Sequence, residues 1–244
     1  MDDGENDCSI SRRLGIPRPT VRDWRVRAQK RSRLNAAFAC GTAHEFLRLP
    51  PSPYAYLLGL YLGDGCISRD RRTWRLRIVL DSKYPAVIER CRLAIDALMP
   101  DQAAAVQVLP KNCVEVGLYS KHWPCLFPQH GPGKKHSRRI ALEPWQQALR
   151  DKASEEFVLG PIHSDGCRVV ANDRGVASVR YHFSNRSSDI LDLFTGALDG
   201  LAIPWTRSSA HVVSVYRKAA TARLDEFVGP KTRAVPLTCV HYAA

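Results

Sequence analysis

The sequence predicts an α+β protein made of two copies of one unit, each running helix, strand pair, helix, strand pair and helix. Three observations carry this. The stretches "LLGLYLGDG" (Leu57 to Gly65) and "VLGPIHSDG" (Val158 to Gly166) share one design at a shift of 101 residues, and cysteine follows both. Further on, "LDSKYPAVIERCRLAIDAL" from Leu80 lies beside "FSNRSSDILDLFTGALDGL" from Phe183 at a shift of 103, matching Ala94 with Ala197, Asp96 with Asp199 and Leu98 with Leu201. Period-two "VEV" at Val114 and "VSV" at Val213 then mark strands, each followed by a glycine-bearing basic segment, "GPGKK" and "GPK". At 244 residues the chain can hold two packed halves plus an appendage.

Residues 1–35 read as a basic, helix-turn-helix-like arm. Ile10 and Leu14 stand four apart, Gly15 breaks the first helix, Pro17 and Pro19 suit the first turn of a second, and Val21 with Trp24 give it an inward stripe. This resembles the DNA-binding modules whose second helix enters the major groove, which puts Arg18, Thr20 and Arg22 toward DNA. Few residues precede the pair, so the module is truncated, and an arm making only phosphate contacts is an equal reading. Residues 36–53 form a linker ending in "LPPSP"; repeat 1 covers 54–128, a basic inter-repeat linker 129–153, repeat 2 154–231 and a tail 232–244. The two-residue change in shift is expected to lengthen a hairpin turn in repeat 2.

Within each repeat the first helix is the informative element. Gly59 and Gly63 are four apart on one face, and Gly160 and Ser164 hold the matching places, so the two helices are expected to meet backbone to backbone. Gly65 and Gly166 suit the left-handed residue that stops a helix, leaving Asp64 and Asp165 in the last turn. A carboxylate is unfavourable there, because the terminal carbonyls already carry negative charge. The same misplaced acid in both copies points to function, and a divalent cation such as Mg²⁺ is the natural relief. Asp-Gly is also an ordinary turn signal. Two acids holding metal beside a basic surface can serve phosphodiester displacement. An alternating "WRLRIVL" strand puts Arg75 and Arg77 on one face and Leu76 and Ile78 on the other, with Arg180 and His182 following in the second copy.

The charge agrees. Thirty-six Lys plus Arg against twenty-four Asp plus Glu gives +12, which favours a polyanion. No apolar run reaches membrane-spanning length and the N-terminus lacks a signal-peptide pattern, so the expectation is a cytoplasmic protein without a membrane partner. Eight scattered cysteines without a C-x-x-C pair read as reduced core thiols; Cys40 and His44 would make at most half a zinc site.

The paired motifs resemble those of the LAGLIDADG (dodecapeptide) homing endonucleases in their single-chain, two-motif form, over roughly Tyr54 to Lys231. The resemblance implies a duplicated αββαββα fold with pseudo-twofold symmetry, motif helices at the seam, a β-saddle along the major groove of double-stranded DNA, and a monomer that is internally a pseudo-dimer. It also implies Asp64 and Asp165 as metal ligands and catalytic acids that cut both strands. On that saddle and its flanks Arg69, Arg75, Arg77, Lys134, Lys135, Arg168, Arg180, Arg207 and Arg217 are expected to contact DNA. The function implied is a metal-dependent endonuclease acting at a long site. The alternative is a catalytically inactive, LAGLIDADG-derived transcriptional regulator, favoured by Pro161, which falls inside the second motif where it removes a helical hydrogen bond. His163, beside the second acid, is expected to be a packing residue more readily than a base.

Overall fold

The computed structural model describes residues 6–24 and 40–232. The remainder of the basic arm and nearly all of the tail lie outside the described residues. The chain forms two compact units, residues 1–44 and 45–244.

In the first unit, α1 (Asp7–Leu14) starts on an Asn6 side chain that accepts the Cys8 and Ser9 N–H groups, and it stops at Gly15, whose φ of 63° no other residue adopts as cheaply. Residues 18–24 are helical (α2), with Pro17 O accepting from the Thr20 and Val21 N–H groups. Ile10 and Val21 are buried as the periodicity predicts. Leu14 and Trp24 are not: they stand 49% and 40% exposed, against the expected inward stripes. Arg18 and Arg22 are exposed and Thr20 is half-buried.

The second unit carries the duplication. Helix α3 (Pro51–Gly63) is followed by β1 (Gly65–Asp70), β2 (Thr73–Asp81), α4 (Pro85–Leu98), β3 (Ala105–Leu109), β4 (Cys113–Tyr119) and a single turn, α5 (Trp123–Leu126). After α6 (Pro144–Lys152) the order repeats as α7 (Ser154–His163), β5 (Gly166–Asp173), β6 (Val176–Ser184), α8 (Ser188–Gly200), β7 (Thr206–Ser209), β8 (Val212–Val215) and α9 (Lys218–Phe227). The two antiparallel sheets have the same order, β1-β2-β4-β3 and β5-β6-β8-β7. One face of each packs on helices: Leu76, Ile78 and Leu80 of β2, and Tyr181 and Phe183 of β6, point into the core, while Arg75, Arg77, Arg180 and His182 alternate to the other side.

Three local expectations change. Both β1–β2 and β5–β6 turn in two residues, Arg71–Arg72 and Arg174–Gly175, so the insertion in repeat 2 lengthens β5 and not the turn. Arg174 and Gly175 both take positive φ, the geometry that lets a two-residue turn match strand twist. Gly65 and Gly166 are not left-handed. A Cβ on Gly65 would lie 2.5 Å from Tyr61 Cα, and one on Gly166 2.6 Å from Ile162 Cα, so glycine there admits the chain folding back over its own helix.

The inter-repeat linker also holds a helix that its basic composition hides. Pro144 opens α6, and Gln146 Oε1 accepts the Glu143 N–H at 2.9 Å. Gln146 is fully buried, donating to Tyr54 Oη (2.7 Å) and Gln129 Oε1 (3.1 Å), while Tyr54 donates to Leu126 O (2.7 Å). This closed polar chain ties the linker to the base of α3; a partner lost from it would leave a buried amide unsatisfied, a cost of about 1–3 kcal/mol.

Candidate active site and nucleic-acid face

Helices α3 and α7 form the seam. A Cβ on Gly59 would meet Pro161 Cδ at 2.5 Å and Gly160 Cα at 2.9 Å; one on Gly160 would meet Tyr56 O at 2.6 Å and Gly59 Cα at 2.7 Å; one on Gly63 would fall on Ser164 Oγ. The four small residues therefore set the helix spacing. Pro161 does not end its helix, which runs to His163, with Ser164 N–H still donating to Gly160 O at 3.0 Å. Proline is tolerated because its ring fills the space opposite Gly59, so packing offsets the missing backbone bond. His163 is a packing residue: its buried Nδ1 lies 2.9 Å from Tyr56 Oη, and burial pushes the imidazole down to about 3, where it stays neutral.

This arrangement brings Asp64 and Asp165 together at one end of the seam. Burial and then the facing Asp165 carboxylate push the Asp64 carboxyl up to about 6, against an opposing pull from Lys135 and Lys231. Asp165 reaches solvent at the rim, yet the crowded helix ends strip enough water from it to raise its carboxyl too, while an Asn185 amide donating at 3.1 Å and the two lysines hold it down.

Those lysines complete the site: the sequence offers Lys135 as a DNA contact and leaves Lys231 without a role. Lys135 Nζ donates to Gly63 O (2.8 Å) and Gly65 O (2.7 Å), covering the end of α3; Lys231 Nζ donates to His163 O (2.9 Å) and Ser164 O (3.2 Å), covering the end of α7. Each ammonium also lies near a tyrosine ring, Tyr61 for Lys135 and Tyr84 for Lys231. Desolvation lowers both, Lys135 to about 8. The signal for them was in the sequence: "GPGKK" and "GPK" follow equivalent strands. The terminal carbonyls of α3 and α7 are thus already satisfied by ammonium groups. Among the described residues, the carboxylates of Asp64 and Asp165 offer hard, partly desolvated oxygens at the seam, donors of the kind that suit a divalent cation.

Each lysine lines a notch with the other helix's acid. Lys135 shares one with Asp165, Asn185, Arg186 and His211, and Lys231 shares the second with Asp64, Asp81 and Lys83.

Two repeats of one topology, glycine-tight motif helices and an acid at each helix tip decide the architecture. This is the duplicated architecture that the LAGLIDADG resemblance implies. No family model and no curated protein matches the chain. Solved structures similar to it include mesophilic variants of the homing endonuclease I-DmoI, at 16% identity and TM-score 0.48 over 76% of this chain and 97% of that one. A LAGLIDADG meganuclease, I-AabMI, bound to uncleaved DNA is similar at 12% identity and TM-score 0.45, over 72% of this chain and 82% of that one. The N-terminal LAGLIDADG domain of DUF199/WhiA is similar at 14% identity and TM-score 0.47, over 76% and 86%. Likenesses of that degree say nothing of this chain's chemistry.

The arginines separate by face. Arg75, Arg77 and Arg180 lie on the side of the two sheets away from the helices. Arg168 lies on the helix side, opposite Tyr181, where it grips Asp225 of α9 through Nε (2.7 Å) and Nη2 (2.9 Å) while Tyr181 also donates to that carboxylate. Arg207 likewise turns toward α8, 3.6 Å from Asp192 and bonded to Ala210 O. Arg69 is exposed near the β1–β2 turn, Arg217 is exposed at the start of α9, and Lys134 is exposed beside Lys135. Among the described residues no helix is long and apolar enough to cross a membrane.

Proposed function

We propose that this protein is a divalent-metal-dependent endonuclease that binds double-stranded DNA across its two sheets and cuts a phosphodiester in each strand. The observation that supports this best is the convergence of Asp64 and Asp165, both with raised carboxyls, at the tips of two helices that touch through glycine. Two like charges in that position are stable only with positive charge beside them.

Asp64 and Asp165 would hold the cation, which when bound would polarise the phosphate and stabilise the charge of the leaving oxygen. Lys135 and Lys231 sit where the phosphate's charge would build up and already carry their ammonium groups at fixed helix ends, so no reorganisation is needed as the reaction proceeds. Asn185, donating to Asp165, orients that carboxylate. Arg75, Arg77 and Arg180 would lie along the major groove, with Arg18, Thr20 and Arg22 of the arm and Lys134 adding contacts. The internal pseudo-dimer lets one chain act alone on both strands.

The test is incubation of the purified full chain with a pool of long DNA duplexes and Mg²⁺, beside Asp64→Asn. Site-specific double-strand cuts by the wild type alone support the endonuclease. Site-specific binding by both with cutting by neither establishes the regulator instead.

A further inference from the structure

The open face of sheet 1 carries a feature that sheet 2 lacks. Glu115, in the middle of β4, is a carboxylate only 6% exposed on the face that carries Arg75 and Arg77. Its Oε1 accepts from Arg75 Nη2 at 2.5 Å and its Oε2 lies 3.9 Å from Arg77 Nη1, so one acid spans both guanidinium groups. Arg75 is fixed a second time by the Tyr119 ring, 5.2 Å from its guanidinium carbon. Gly117, paired with Arg77 across the strands, leaves the space: a Cβ there would lie 2.8 Å from Leu76 O and 3.7 Å from both Arg77 Cγ and Glu115 Oε1. A further group in the cluster, Arg77 Nε, is buried with no hydrogen-bond partner among the described residues.

In repeat 2 the matching strand position is Ser214, since "VSV" stands where "VEV" does. Ser214 pairs with His182, whose Nδ1 lies 2.8 Å from its hydroxyl, and Ser208 donates to the same hydroxyl at 2.6 Å. Such a chain of two hydroxyls and an imidazole offers both donors and acceptors, whereas two guanidinium groups tied to a carboxylate can only donate.

We infer that Glu115 is a positioning residue for base recognition: it holds Arg75 and Arg77 as a preset donor pair that reads guanine in one half-site, while the His182–Ser214–Ser208 chain reads the other half-site permissively. This rests on the proposal that the sheets face DNA. Arginine meets guanine N7 and O6 with two donors in a fixed plane, so discrimination depends on how firmly the guanidinium is held. A free arginine must be ordered on binding; a clasped one has lost that freedom beforehand. One acid between two arginines leaves the cluster cationic, so it still suits the polyanion, but the acid repels phosphate and favours base edges over the backbone.

The experiment is selection from a pool of randomised DNA duplexes in Ca²⁺ with the full chain, for the wild type, Glu115→Ala, Glu115→Gln and Ser214→Ala. The wild type is expected to enrich guanine in one half-site. Glu115→Ala is expected to lose that preference by roughly 10- to 100-fold while the other half-site keeps its profile, and to bind random DNA with a salt slope steeper by about one. Glu115→Gln keeps the shape and one acceptor; an intermediate loss there separates positioning from folding should the alanine variant be unstable. Ser214→Ala is expected to alter only the other half-site. Unchanged preferences in the Glu115 variants beside a specific wild type overturn the inference; a wild type that enriches no sequence overturns the DNA reading beneath it.

Discussion

The two acid notches share a backbone plan and differ in their walls. Beside Asp165 the space is about 520 Å³, and the carboxylate is steadied by Asn185. Beside Asp64 it is about 290 Å³, and the wall holds a second acid, Asp81, tied to Lys83 at 2.8 Å. Duplication fixed the helix tips and lysine caps in both copies, because those depend on backbone approach. The walls were free to diverge, because a loop side chain can change without moving a helix.

The seam gives the largest expected effect. Gly160→Ala puts a methyl against backbone atoms of α3 that have nowhere to move, so it is expected to lower unfolding free energy by about 3 kcal/mol. Gly63→Ala meets side-chain atoms instead, Ser164 Oγ, Ser164 Cβ at 2.7 Å and Asp165 Oδ2 at 3.3 Å; its cost is expected to be about 2 kcal/mol and to shrink to about 1 kcal/mol in combination with Ser164→Gly, which removes the first two contacts. Urea denaturation of the set checks this, and equal costs at the two glycines would mean the helices are not pinned at Gly160.

Next come the acids in metal-free protein. The Asp64 carboxyl, raised to about 6, holds its proton more tightly folded than unfolded, so stability declines as pH rises from about 4 to 6 and stays lower above that. Asp64→Asn removes the penalty. It is expected to raise stability at pH 7.5 by on the order of 1–2 kcal/mol, partial exposure considered, and to do nothing at pH 4. Mg²⁺ should raise the melting temperature of the wild type and not that of the variant.

A smaller effect separates the two faces of sheet 2. Arg168→Met should cost about 1–2 kcal/mol of stability through the loss of its two bonds to Asp225 and leave the salt slope of DNA binding unchanged. Arg180→Met should leave stability within about 0.5 kcal/mol and reduce that slope by about one. Thermal melts and salt titrations decide it. The smallest effect is expected from Asn185→Ala, which lets the Asp165 carboxyl rise further; cleavage should fall several-fold at pH 6 and less at pH 8, because the added protonation is reversed at higher pH.

Much of this architecture was legible beforehand for physical reasons. A period of 3.6 or 2 in apolar residues reports which face is buried, and an internal repeat tests each assignment twice, so the order of elements, the glycine seam and the alternation of Arg75 and Arg77 with Leu76 and Ile78 could be read directly. Helix α6 escaped because basic flanks hide a short helix whose key residue, Gln146, is polar and buried. Trp24 escaped because helical spacing names a stripe and not what covers it.

The sequence by itself announced the duplicated fold, two helices with small-residue faces and an acid at the same place in each copy, since all three are read from periodicity and the internal repeat. Only the tertiary structure decided that Lys135 and Lys231 close the helix ends, that Pro161 fits the seam, that Arg168 is held by α9 and that Glu115 clasps two arginines. Those outcomes depend on distances between residues far apart in the chain, and no local pattern encodes a distance.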